Sequence, residues 1–193
     1  MIRILLLRHE ERNMLDPRFF TSLTQKGLEN ADKLKDEIEK YEKKYKIDAI
    51  YTSPFLRTMQ TIYPYAKDNK RRVNMEYGLY EYLHNPLLHT HDWYVEPEEL
   101  FEKYPQFEKI VNPYYQTIFK KDDFHLFENE IDLEKRVVKM MNTLITQHMG
   151  QTVLLVSHQA TINKIKDLYI EPTPLKTHYP MGHIEMYELN FKD

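Results

Sequence analysis

The chain has 193 residues, enough for one domain with a substantial core, and its 41% apolar and 30% charged content is that of a globular protein. A net charge of −3 argues against a nucleic-acid partner, which draws on a basic excess gathered on one face. No apolar run approaches the roughly 18 residues of a membrane span, and the absence of cysteine excludes a disulfide frame, a thiolate nucleophile and a cysteine-based zinc site.

The chain opens on a continuous apolar run, IRILLL at 2–7, interrupted only by Arg3. It reads as a central strand buried on both faces. Because it reads as a strand rather than as a signal peptide, the expected location is cytoplasmic. Residues 13–23 hold Pro17 and no periodicity, so they form a loop. Thr24 is the expected N-cap of a helix running to about Lys46, with Leu28, Ala31, Leu34, Ile38, Tyr41 and Tyr45 on its apolar face. Its other face carries Asp36/Lys40, Glu39/Lys43 and Glu42/Lys46, each acid four residues before its base, the favourable order for helix ion pairs.

DAIYTS at 48–53 reads as a second strand, and FLRTMQTIYPYA after Pro54 as a helix ending near Pro64. RRVNMEY at 71–77 reads as a third strand. Residues 84–131, with four prolines and many aromatics, read as an excursion from the core, helical in patches. A helix over 132–148, capped by Asp132, turns Leu133, Val137, Met140, Met141 and Leu144 inward. TVLLVSH at 152–158 is another buried strand, followed by a helix at about 160–170 and a last, edge strand at 183–191. Strands alternating with helices predict a three-layer α/β/α architecture with a mostly parallel sheet. We expect a single domain over 1–193, with 84–131 as an insertion or cap within it.

Two buried strands end alike: LLLRH in Arg8-His9 and LLVSH in Ser157-His158. In open α/β sheets ligands bind outside the carboxyl ends of the strands. A third strand leads into SPFLR and brings Arg57 one turn into a helix; a fourth leads into YGLYE and brings Glu81 just past its end. Guanidinium forks and the first-turn N–H groups of a helix suit a dianionic phosphate. A neutral imidazole can attack phosphorus and hold the phosphoryl group, and nearby cations keep it unprotonated. A second histidine can donate to the oxygens as charge spreads over them, and a glutamic acid can protonate the leaving oxygen and then activate water.

RHEER, LTQKG, SPFLRTMQT, GLYE and VLLVSHQA, in this order across about residues 2–190, resemble the histidine phosphatase superfamily, the phosphoglycerate-mutase-like fold. The resemblance is nearest in motif to the T-cell ubiquitin-ligand and ecdysteroid-phosphate phosphatase subgroup. It implies a metal-independent phosphomonoesterase without a cofactor. His9 takes the place of the phospho-accepting histidine, Arg8, Arg57 and His158 that of the phosphate pocket, and Glu81 that of the acid/base. Arg12 stands where that subgroup adds a further arginine; a plain salt bridge is its other reading. The substrate class implied is a phosphorylated small molecule or a phosphotyrosine-like ester. The alternatives are a phosphoglycerate-mutase-type phosphotransferase, whose members tend to be longer, and a weakly active relative that binds phospho-ligands.

This chain departs from the pattern at Glu10, where a glycine is usual, and at Gln159, where a small residue is commoner; Met14 and Leu15 occupy the region where many relatives carry Asn or Asp. A carboxylate at position 10 weakens anion binding if it points inward. No metal is expected. His84, His89 and His91 with Asp92 match no ligand spacing, and HEERN lacks the second histidine of HExxH. The aromatics of the excursion, Trp93 and Tyr94 among them, read as packing; facing a pocket, they would favour an aromatic phosphoester. Nothing in the sequence sets the oligomeric state.

Overall fold

The computed structural model describes residues 1–88, 93–124 and 127–190. Its five strands are β1 (Ile2–Arg8), β2 (Ala49–Thr52), β3 (Asn74–Met75), β4 (Thr152–Ser157) and β5 (Ile184–Leu189). They form one sheet in the order β3-β2-β4-β1-β5. All neighbours pair in parallel except β1 with β5, which are antiparallel. The two central strands are the continuous apolar runs: β4 is buried at every position and β1 at all but Arg3. Strand β5 is half-exposed in its middle, as expected for an edge.

The α-helices are α1 (Gln25–Tyr45), α2 (Leu56–Asp68), α3 (Pro97–Lys103), α4 (Glu130–Gln147) and α5 (Gln159–Tyr169). From β1 the chain steps outward through β2 to β3, then returns to insert β4 beside β1. Right-handed crossovers in opposite directions send their helices to opposite faces. Accordingly α1 packs with α2 and α4 with α5, giving the expected three layers. Among the described residues no helix is long and apolar enough to cross a membrane.

Several local expectations are corrected. Gly27, not Leu28, lies on the buried face of α1, and Leu28 is exposed. A Cβ at Gly27 would stand 2.2 Å from the Glu11 carbonyl oxygen, so only glycine lets α1 approach the segment after β1 this closely. Two of the helix carboxylates choose tertiary partners: Glu42 takes Arg71 at 2.8 Å, and Glu39 accepts from Asn69 at 3.1 Å. Helix α2 runs through Pro64 to Asp68 because Ile62, Tyr65 and Ala66 are buried beside it. Their burial outweighs a proline cost of about 3 kcal/mol. The strand read at 71–77 shrinks to two residues, with Val73 bridging to Val111 instead. Asn129 caps α4, and Asp132 is its reciprocal partner three residues on, accepting from the Asn129 N–H at 3.2 Å.

Among the described residues the excursion is mostly turns, with one short helix, α3, and 3-10 turns at Pro86–Leu88 and Lys121–Asp123. It is held by burial of Tyr94, Leu100, Phe107, Ile110 and Phe119 against the core. His89, His91 and Asp92 lie outside the described residues.

Candidate active site

The register of the sheet builds the site. Arg8 pairs with Ser157 across β1 and β4, so the next residues, His9 and His158, leave the sheet side by side. Their ring centroids stand 5.3 Å apart. Thr52 at the end of β2 pairs with Val156, and β2 passes through Ser53-Pro54 into α2, whose first turn carries Arg57. The Glu76 N–H bonds to the Thr52 carbonyl at 2.9 Å, and a 3-10 turn at Tyr77–Leu79 then leads to Glu81. The four parallel strand ends deliver the predicted residues to one spot.

His9 is buried, and its Nδ1 lies 2.7 Å from the Glu10 carbonyl oxygen. A carbonyl only accepts, so Nδ1 carries the proton and donates it. The Nε2 atom keeps its lone pair. Burial pushes the His9 pKa well below the ordinary histidine value; Arg57 lowers it further, the Glu10 hydrogen bond opposes, and Arg8 and Arg12 add to the lowering. His158 is held neutral in the same way, first by burial and then by Arg57. Its Nε2 lies 2.9 Å from the Ser53 hydroxyl. Its buried Nδ1 makes no hydrogen bond among the described residues and stands 3.5 Å from a Glu81 carboxylate oxygen.

Arg57 is fully buried. Its Nη1 donates to the carbonyls of Pro17 and Arg18, and its Nη2 reaches the same Glu81 oxygen at 3.5 Å. Burial pushes its pKa down to about 9, which leaves it cationic at neutral pH. Arg8 donates from Nη1 to Gln159 at 2.8 Å and to the Tyr179 carbonyl. Arg12 donates from Nη1 to the carbonyls of Asn13 and Asp16. The Nε–H groups of Arg8, Arg12 and Arg57 are all buried without an acceptor among the described residues. Each such group costs about 1–3 kcal/mol where nothing supplies one. Three in one place point to a ligand rich in acceptor oxygens.

Glu10 does not join this ring. Its carboxylate turns to Asn30, 3.5 Å away, and fills the space above Gly182, where a Cβ would stand 1.9 Å from one of its oxygens. Gly182 adopts φ +68°, and its N–H is shared between the carbonyls of Arg8 and His9. A glycine is thus required after all, but at position 182 rather than 10. Burial raises the Glu10 pKa.

A cavity of about 730 Å³ opens from Arg8, Arg12 and Glu81 outward. Met14, Pro17, Leu88, Pro174 and Leu175 supply apolar wall, with Tyr82 and His84 beside them. Those two rings stack at 4.3 Å. The described excursion aromatics Trp93, Tyr94, Phe101, Tyr104, Phe107, Tyr114 and Tyr115 do not line it. His9, Glu81 and His158 each offer a metal-ligand atom, all within 4.8 Å of one another. Three guanidinium groups around the same spot repel a divalent cation and attract a phosphate.

Sequence reasoning missed Ser53, the partner of His158, and Gln159 as the partner of Arg8. Ser53 directly follows β2 and Ser157 closes β4, a repeated strand-to-Ser pattern that points to it.

The sequence model of the histidine phosphatase superfamily (branch 1) matches residues 4–193. No curated protein matches the chain. Among solved structures, it is similar to the ecdysone phosphate phosphatase of Bombix mori in complex with tungstate (TM-score 0.72, 18% identity, 96% of this chain and 88% of that one). It is also similar to a phosphoserine phosphatase mutant of Entamoeba histolytica in complex with phosphoserine (TM-score 0.61, 22% identity, 96% and 90%). A third likeness is to the alpha-ribazole phosphatase of Shigella flexneri (TM-score 0.64, 20% identity, 97% and 91%). Likenesses at these identities establish a shared fold.

Proposed function

From the premise that the chain belongs to the histidine phosphatase superfamily and is a phosphatase, we propose that it hydrolyses phosphomonoesters through a phosphohistidine on His9, without a metal ion. What carries this reading is a neutral imidazole with a lone pair on Nε2 beside three guanidinium groups whose Nε–H groups have no acceptor. The substrate phosphate accepts from Arg8, Arg12 and Arg57. Nε2 of His9 attacks phosphorus and the P–O bond to the leaving group breaks. Glu81, as the acid, passes its proton to that oxygen. The His158 imidazole stabilises the charge spread over the equatorial oxygens. In the second half, the Glu81 carboxylate takes a proton from water, the water oxygen bonds to phosphorus, and the P–N bond breaks. Phosphate leaves and His9 is neutral again.

The cavity supports a small phosphoester with a bulky, largely apolar alcohol or phenol as leaving group. Its volume lies in the range of pockets that hold such molecules. The orientation of Glu10, away from the arginines, removes the electrostatic ground for a relative that only binds. The family match across 4–193 supports reading the chain as one domain, with 84–131 as an insertion.

The test is hydrolysis of 4-nitrophenyl phosphate in EDTA by wild type and His9→Ala. We expect turnover that survives EDTA and disappears in the variant. Turnover unaffected by His9→Ala would overturn the mechanism; turnover abolished by EDTA would overturn its independence of metal.

A further inference from the structure

The acid Glu81 sits on a short stretch with little regular structure, yet an acid must be held to within a fraction of an ångström to act. Its mount is a buried ion pair on the far side of the chain. Arg136 lies on the buried face of α4, and Glu128 just precedes that helix. The Arg136 Nε donates to Glu128 at 2.7 Å and its Nη2 at 2.8 Å, a two-pronged pair. The other donors go to backbone: Nη1 to the carbonyls of Gly78 at 2.8 Å and Tyr80 at 3.1 Å, and Nη2 to that of Glu81 at 3.3 Å. All five N–H groups of the guanidinium are used. The second Glu128 oxygen also accepts from the Leu83 N–H at 3.0 Å.

The same stretch is held from the sheet side. The Ser157 hydroxyl donates to the Leu79 carbonyl at 2.7 Å, and the Thr161 hydroxyl to that of Tyr80 at 2.6 Å. Four successive carbonyls, from Gly78 to Glu81, therefore each accept from a side chain. Two of those side chains stand immediately before and three residues after His158, so the mount of the acid and the phosphate pocket share one scaffold.

We propose that Arg136 and Glu128 are positioning residues that fix Glu81 for proton transfer to the leaving group. This rests on the reading of Glu81 as the acid given above. Neither Arg136 nor Glu128 lines the cavity, and the clamp holds the backbone that carries the carboxylate rather than the carboxylate itself. Loosening it misplaces the proton donor while leaving the phosphate pocket intact. The cost must then depend on how much help the leaving group needs.

The experiment compares kcat/KM, which reports transfer to His9, on benzyl phosphate and on 4-nitrophenyl phosphate. Benzyl alcohol leaves poorly without a proton; 4-nitrophenol leaves without help. Arg136→Lys keeps the charge opposite Glu128 but cannot reach all three carbonyls. The pair Arg136→Met with Glu128→Leu removes both buried charges together and keeps the fold where a single change fails. Glu81→Gln is run beside them as the reference. We expect Glu81→Gln to lose about 10²-fold or more on benzyl phosphate and far less on the nitrophenyl ester. Both clamp variants should show the same selectivity. Selectivity in Glu81→Gln with an equal loss, or none, on both esters in the clamp variants would overturn the positioning role alone. No selectivity in Glu81→Gln would overturn the acid assignment, and the clamp's role with it.

Discussion

Arg136 and the three arginines at the strand ends are buried to nearly the same degree: 4% exposed for Arg136 against 6%, 8% and 0% for Arg8, Arg12 and Arg57. Solvent therefore does not explain how differently their donors are used. Arg136 meets a full carboxylate and three carbonyls, and none of its N–H groups is left over. Arg8, Arg12 and Arg57 each keep a buried Nε–H without an acceptor, and the Nη2 groups of Arg8 and Arg12 make no hydrogen bond among the described residues. A guanidinium whose bonds are complete belongs to the architecture. One whose bonds are incomplete is completed by something else, and a phosphate's oxygens fit it. The burial of both kinds is costly, but only in the strand-end group does the cost persist until a ligand arrives.

The largest expected effect breaks this comparison most directly. Arg8→Met or Arg12→Met should lower kcat/KM for 4-nitrophenyl phosphate by about 10²-fold or more, as for loss of one donor to a developing charge. Stability should change by only about 1 kcal/mol, since removal of the unpaired buried Nε–H offsets loss of the Nη1 bonds, to Gln159 and the Tyr179 carbonyl for Arg8 and to the Asn13 and Asp16 carbonyls for Arg12. A sharp fall in the urea midpoint with ordinary activity would show that these arginines are structural after all.

The opposite pattern is expected of Arg136→Met. It strands the Glu128 carboxylate in the core, a change that typically costs about 3–5 kcal/mol. Adding Glu128→Leu should recover most of that, because the desolvation of the unpaired charge disappears with it. Urea unfolding of the single and double variants measures both. If the single variant is no less stable than wild type, the clamp does not hold the segment it touches.

How much of this could be read from the chain follows from the same contrast. The strand-end residues were legible because the signal is local: a continuous apolar run that stops at Arg8-His9, and another that stops at Ser157-His158, announce a buried strand with a charged terminus. Parallel register then brings the two ends together without further information. The clamp was not legible, because Arg136 acts on carbonyls 55–58 residues away. Its one local sign is that Arg136 falls on the stripe of Leu133, Val137 and Met140, where a charge has no place unless it is paired. Pro64 misled for a related reason: local preference ends a helix there, and the apolar side chains around it keep the helix going. Glu10 shows the limit of reading one position alone, since its partner glycine is Gly182, contributed by the loop before β5.

The smallest expected effect sharpens the comparison through pH. The incomplete arginines do more than wait for phosphate; with burial as the larger cause, their charge holds His9 and His158 neutral. Both folded-state pKa values lie below the unfolded value of 6.5. Above that value neither state binds a proton, and these histidines leave stability unchanged with pH. As pH falls below it, the unfolded chain takes up protons that the folded chain refuses, so stability is lost. Each histidine can contribute a slope of up to about 1.4 kcal/mol per pH unit. Urea unfolding of wild type and His158→Asn between pH 7 and pH 5 isolates the contribution, since the other titrating groups are common to both. The wild type should lose stability more steeply on acidification than the variant. Equal slopes would mean that the folded pocket lets His158 accept the proton as readily as the unfolded chain does, and then neither burial nor the positive field of the incomplete arginines keeps His158 neutral.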